Sequence, residues 1–185
     1  MAKHLINSKT LKDLRKRTLE ITYHSQKSNI GSCLSSIEFL TYMYLNKINI
    51  HAIKNNLIKR DRFILSKGQC APAFYAVLEK ANIIKKNSAN TYRKINSLFQ
   101  THPHVCLNGV EYSSGSLGQG LSYGCGVALG LKKFNINSKT YVYVGDGEMQ
   151  EGQIWESIMF AGHHKLKNLC LIIDENKIQD FEFIT

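Results

Sequence analysis

The chain opens on a helical pattern. Between Ser8 and about Gln26, Leu11, Leu14, Leu19 and Ile21 recur at mixed helical steps amid Lys, Arg and Glu, which predicts an amphipathic, surface-packing helix. Ser35 is followed three residues later by Glu38 and then by Phe39, Leu40, Tyr42, Met43, Tyr44 and Leu45, which reads as a capped second helix from Ser35 to Leu45. Arg62-Phe63-Ile64-Leu65 is a short apolar run stopped by Ser66-Lys67-Gly68, the pattern of a buried strand. Pro72 stands where a first helical turn begins, and Ala73 to Ala81 continues at helical spacing.

The second half is more regular. A glycine-rich segment from Gly115 to Gly130 leads to Thr140-Tyr141-Val142-Tyr143-Val144, a β-branched and aromatic strand bounded by glycine. Ile154, Trp155, Ile158, Met159 and Ala161 then fall at helical spacing between Glu151 and His164, and Leu169 to Ile173 is another apolar run. Strand, helix and strand in succession predict an α/β fold, a parallel sheet flanked by helices. With 185 residues, 43% apolar and 21% charged, the chain is expected to form one globular domain over residues 1–185, without internal repeat, low-complexity tract or linker.

Composition narrows the classes further. No apolar stretch reaches the length of a membrane span, and the opening MAKHLINSKTLKDLRKRTLE has no apolar run behind its charges, so a cytoplasmic protein without membrane association is expected. Cys33, Cys70, Cys106, Cys125 and Cys170 are odd in number, scattered and free of any CxxC pair, so they read as reduced, mostly buried thiols. The formal net charge of +10 comes from dispersed lysines with no aromatic interleaving. This pattern describes a solvated basic surface with some pull on anionic substrates, not a nucleic-acid platform.

Candidate chemistry sits at the strand ends. In open α/β sheets the carboxyl ends of strands collect anions, because unpaired backbone N–H groups and the helix dipole favour them there. Gly145-Asp146-Gly147 lies at such an end: its glycines admit a phosphate close to the backbone, and Asp146 offers a hard oxygen to a cation bridging that phosphate. Asn176 follows the next strand, thirty residues after Asp146, so one crossover returns a carboxamide oxygen beside the first carboxylate.

Three ordered motifs carry a family likeness. Arg60 to Gly68 (RDRFILSKG), Gly109 to Gly130 (GVEYSSGSLGQGLSYGCGVALG) and Val144 to Ser157 (VGDGEMQEGQIWES) resemble the N-terminal, thiamine-diphosphate-binding subunit of split bacterial transketolases. The likeness spans nearly the whole chain. It implies the thiamine-diphosphate-binding fold, with Asp146, Asn176 and the carbonyl of Ile178 as Mg²⁺ ligands and Gly147 as a diphosphate contact. It also implies Gly115, Ser116 and Leu117 against the aminopyrimidine ring, His102 as a substrate-facing histidine, and Glu151 as an acidic residue at a subunit interface near the cofactor.

Two positions depart from the family pattern. Where the family reads Gly-His-Pro-Gly, this chain has Ser28-Asn29-Ile30-Gly31, so the substrate-binding position carries the amide of Asn29. Where the family reads Lys-Gly-His or Asn-Gly-His, the chain has Lys67-Gly68-Gln69, which puts Gln69 at a cofactor-binding position. Neither side chain titrates near neutrality. The likeness further implies ketol transfer between sugars or sugar phosphates, and a partner subunit carrying the pyrimidine-binding domain and its ring-activating glutamate. A dimer of such heterodimers follows from it. A non-catalytic interaction subunit is the alternative, favoured by Asn29, by Gln69 and by a chain that stops at Thr185, either minimal or a fragment. A nicotinamide-binding reading of Gly124-Cys125-Gly126 fails, because Leu129 stands where a third Gly or Ala is needed and no convincing strand precedes it. His163 and His164 point about 100° apart on a helix and read as surface or packing residues.

Overall fold

The structure is a computed structural model that describes residues 6–26, 29–179 and 182–184. Ser28 and Thr185, both used above, lie outside the described residues. The chain divides into two compact units interleaved in sequence: one runs to Leu57 and resumes over Gln69–Val110, and the other takes Ile58–Gly68 and the chain from Glu111 onward.

The first unit is helical. Helix α1 (Ser8–Ser25) starts at Asn7, whose side chain accepts from Thr10 N at 2.9 Å, and it buries Leu14, Thr18, Ile21 and Thr22. Leu19, expected on that face, is 46% exposed, and Thr18 takes the inward position because its hydroxyl bonds back to Leu14 O at 2.8 Å. Helix α2 (Ile30–Tyr42) begins five residues earlier than the Ser35 signal predicts. Its buried stripe of Cys33, Ser36, Ile37, Leu40 and Thr41 already starts at Cys33, and burying it requires the earlier turn. Glu38 does not close a capping box either, since its carboxylate pairs with Arg15 of α1. A π-helical turn, Met43–Lys47, ends α2, and the short α3 (Ile50–Lys54) follows. Helix α4 (Ala71–Lys80) carries Pro72 in its first turn as predicted, and Glu79 near its end accepts two bonds from the Arg17 guanidinium, at 2.8 and 3.1 Å.

The second unit holds the sheet. Strands β1 (Arg62–Leu65), β2 (Thr140–Gly145) and β3 (Leu169–Asp174) are parallel in the order β1-β2-β3, with Leu65 opposite Tyr143 and Gly145 opposite Asp174. Helices α5 (Gln119–Lys133) and α6 (Gly152–His163) pack on it around Ile64, Leu121, Cys125, Ala128, Val142 and Ile154. The expected parallel sheet with flanking helices is therefore what the chain builds. A two-residue hairpin, β4 (Ile178–Gln179) with β5 (Glu182–Phe183), follows β3. Of the five free thiols, Cys33, Cys70 and Cys125 are buried as expected, whereas Cys106 on a loop and Cys170 on β3 are exposed. Among the described residues no helix is long and apolar enough to cross a membrane.

Candidate functional site

The end of β2 runs into a 3-10 turn, Gly147–Gln150, and Asp146 caps it by accepting from Gly147 N at 3.0 Å through Oδ1. Its other oxygen, Oδ2, accepts from Lys177 N at 2.5 Å. That bond draws the Asn176-Lys177-Ile178 segment against the first carboxylate. Asp146 N also donates to Asp174 O at 3.2 Å, and Asn176 Oδ1 accepts from Ile178 N at 2.9 Å. Lys177 holds the intervening turn at φ +62°, a conformation that L side chains adopt at some cost. These bonds bring the Asn176-Lys177-Ile178 segment beside Asp146 and Gly147 at the strand ends, with Asn176 Oδ1 turned to Ile178 N.

Two buried charges lie beside this turn, and sequence reasoning gave neither a role. Lys67, just past β1, is 1% exposed in its side chain and pairs with Asp174 at the end of β3, its Nζ 5.6 Å from the centre of the Tyr143 ring. The pair spans β2 and ties the outer strand ends together. Glu148, 2% exposed, accepts from Ser66 Oγ and from Gly118 N at 2.9 Å on Oε1, and from Gly145 N at 3.2 Å on Oε2. Burial, and next the Glu148 carboxylate, push the Tyr112 phenol above its ordinary pKa. The identity of Glu148 was legible within GDGE, but its partner Ser66 lies 82 residues away and no local pattern announces it.

The loop before α5 presents Gly115, Ser116 and Leu117 to solvent and buries Gly118. Gly118 sits at φ +82°, and a Cβ there would lie 2.7 Å from Glu151 Cβ, so glycine is required both by conformation and by space. Glu151 is thereby packed over the loop while its residue stays exposed at the start of α6. Ser114 Oγ, next to Gly115, is buried without a hydrogen-bond partner among the described residues.

The helical unit carries the remaining candidates. Asn29 is exposed at the N-terminus of α2, its side chain making no cap bond, and its carbonyl accepts from Cys33 N at 3.1 Å. Cys33 Sγ lies 3.9 Å from Gln69 O, so the positions with amides in place of imidazoles flank one thiol. His102 is half-buried, and burial alone lowers its pKa, keeping the imidazole neutral near pH 7. Its segment is anchored by the Tyr75 hydroxyl, which donates to Gln100 O at 2.9 Å, and by Tyr75 edge-on to Phe99 at 5.2 Å.

The donor set fits a hard cation in kind. One carboxylate, one carboxamide oxygen and a backbone carbonyl are oxygen ligands of the sort Mg²⁺ takes, but they are too few to enclose it. No cluster of three or more His, Cys, Asp or Glu able to hold a metal occurs among the described residues. The set alone would therefore leave part of a cation's shell to other oxygens, such as those of a phosphate.

Residues 6–180 match the family described as transketolase, thiamine diphosphate binding domain. The chain belongs to this family. Among its transketolase relatives, an apulose-4-phosphate transketolase subunit from Phocaeicola vulgatus is 40% identical over 165 residues, covering 89% of this chain and 59% of that protein. The 6-deoxy-6-sulfo-D-fructose transketolase subunit SqwG of a Clostridium species is 35% identical over 167 residues, 90% of this chain and 61% of that one. In structure, the transketolase of Leishmania mexicana superposes with a TM-score of 0.83 at 26% identity, over 92% of this chain and 27% of that chain. The chain thus spans about three fifths of the length of each of these transketolase subunits.

Proposed function

We infer that this chain is the thiamine-diphosphate- and Mg²⁺-binding subunit of a transketolase-like transferase, which moves a ketol unit between sugars or sugar phosphates. The observation that carries the reading is the bond from Lys177 N to Asp146 Oδ2, which sets a carboxylate beside the Asn176 to Ile178 turn in a chain of this family. When bound, thiamine diphosphate supplies the electron sink for ketol transfer. The chain's own residues bind and orient it. Asp146, Asn176 and the Ile178 carbonyl hold the Mg²⁺, Gly147 lets the diphosphate approach the backbone, and Gly115, Ser116 and Leu117 lie along the ring. Gln69 stands at a further cofactor position. Asn29 and His102 meet the substrate, His102 as a neutral imidazole that donates or accepts one hydrogen bond without adding charge. Glu151 is the acidic group at the subunit interface.

Two relatives are named as transketolase subunits, which supports a second subunit. In this reading that subunit carries the pyrimidine-binding domain, and the pair assembles as a dimer of heterodimers in the cytoplasm. The second reading is a non-catalytic subunit that keeps cofactor binding, and the amides at Asn29 and Gln69 favour it. Cofactor binding itself is tested by Asp146→Ala. Calorimetry on the complex with the partner is expected to show Mg²⁺-dependent thiamine diphosphate affinity falling by at least about a hundredfold with the far-UV spectrum unchanged. An affinity equal to wild type would remove Asp146 from the metal site.

A further inference from the structure

Glu148 joins three segments that are distant in sequence. Its Oε1 takes the hydroxyl of Ser66 beyond β1 and the N–H of Gly118 in the loop before α5, and its Oε2 takes the N–H of Gly145 at the end of β2. Nothing about this carboxylate is casual: it is 2% exposed, and a buried carboxylate persists only where donors replace water. The loop is also held from its other sides. Gly118 has no room for a Cβ against Glu151, and a Cβ on Gly120 would collide with the Ser66 side chain. Three residues, Gly115 to Leu117, are left exposed above this clamp, while Asp146 and Gly147 stand two and one residues before Glu148 on the turn.

We propose that Glu148 is a positioning residue that fixes the distance between the 115–117 loop and the Gly145-Asp146-Gly147 turn. The proposal rests on the cofactor reading above. On that reading the loop meets the ring of thiamine diphosphate and the turn meets its diphosphate, so one buried carboxylate sets the span into which a two-ended ligand must fit. Glu148 touches neither end. Its contribution is to hold both protein segments in register before the ligand arrives, which lowers the cost of ordering them on binding.

Glu148→Gln tests this with almost no change in volume. An amide keeps one acceptor oxygen and places N–H donors where the other oxygen stood, facing N–H or O–H donors in a buried site. In the complex with the pyrimidine-domain partner, calorimetry is expected to show the Kd for thiamine diphosphate rising by about tenfold or more. Mg-pyrophosphate engages only the turn, and its competition constant should stay within about threefold of wild type. An equal loss for both ligands, which general destabilisation would give, or no loss for either, overturns the proposal. If Glu148→Gln does not fold, Ser66→Ala removes one donor and leaves the carboxylate two. It should weaken thiamine diphosphate by about two- to fivefold and leave Mg-pyrophosphate unmoved, and the absence of that difference overturns the proposal equally. A wild-type complex that binds no thiamine diphosphate at all would instead defeat the cofactor reading, and this inference with it.

Discussion

His102 shows how one residue's surroundings fix its chemistry. Burial holds its pKa below the ordinary histidine value, so the folded protein binds fewer protons than the unfolded chain once pH drops below about 6.5. Stability carried by the neutral imidazole is therefore fully present above that pH and is lost as pH falls toward the depressed folded value. Denaturation midpoints measured from about pH 7 to 5 should decline more steeply for wild type than for His102→Gln, and parallel curves would mean His102 titrates as in the unfolded chain. At this scale the site was partly legible. Asp146 and Asn176 stand in short motifs beside strand ends, and the parallel pairing of β2 with β3 sets the two segments side by side. The pairings of Lys67 and Glu148 were not legible, because their partners Asp174 and Ser66 lie 107 and 82 residues away and only the folded sheet brings them near.

Elements were read best where a short apolar run is bounded by turn residues. Strands β1, β2 and β3 have continuous apolar runs, buried throughout in the central β2, and each forms within a residue of its predicted bounds. The start of α2 was misread because a Ser-x-x-Glu pattern is a local signal, and the tertiary stripe beginning at Cys33 outweighs it. Helix α5 shows what its glycines are for. A Cβ on Gly124 would collide with the Val142 side chain and come 3.4 Å from Ile64 Cδ1, whereas Gly130 has open space. Gly124→Ala should cost about 1–2 kcal/mol, overpacking against β2 outweighing the helical preference for alanine. Gly130→Ala should gain up to about 1 kcal/mol by that same preference. Chemical denaturation of the two variants reads the difference directly; shifts of one sign in both would contradict the close approach of α5 to β2.

The chain leaves the sheet after β1, builds a helical unit over Gln69–Val110, and returns at Glu111, an interleaving that no composition change along the sequence marks. In the sheet unit, Trp155 (56% exposed) and Met159 (74%) on α6 and Ile173 (45%) on β3 are exposed apolar side chains. On the proposed function, this chain supplies the diphosphate side of a shared cofactor site and turns over only with a pyrimidine-domain partner. The most direct test is donor-ketose consumption by the purified chain and by its purified complex, at equal thiamine diphosphate and Mg²⁺. Turnover is expected from the complex and none from the chain alone. Turnover by the chain alone at the rate of the complex would contradict it, and a cofactor-loaded complex silent on every sugar phosphate tried would leave only the non-catalytic reading standing.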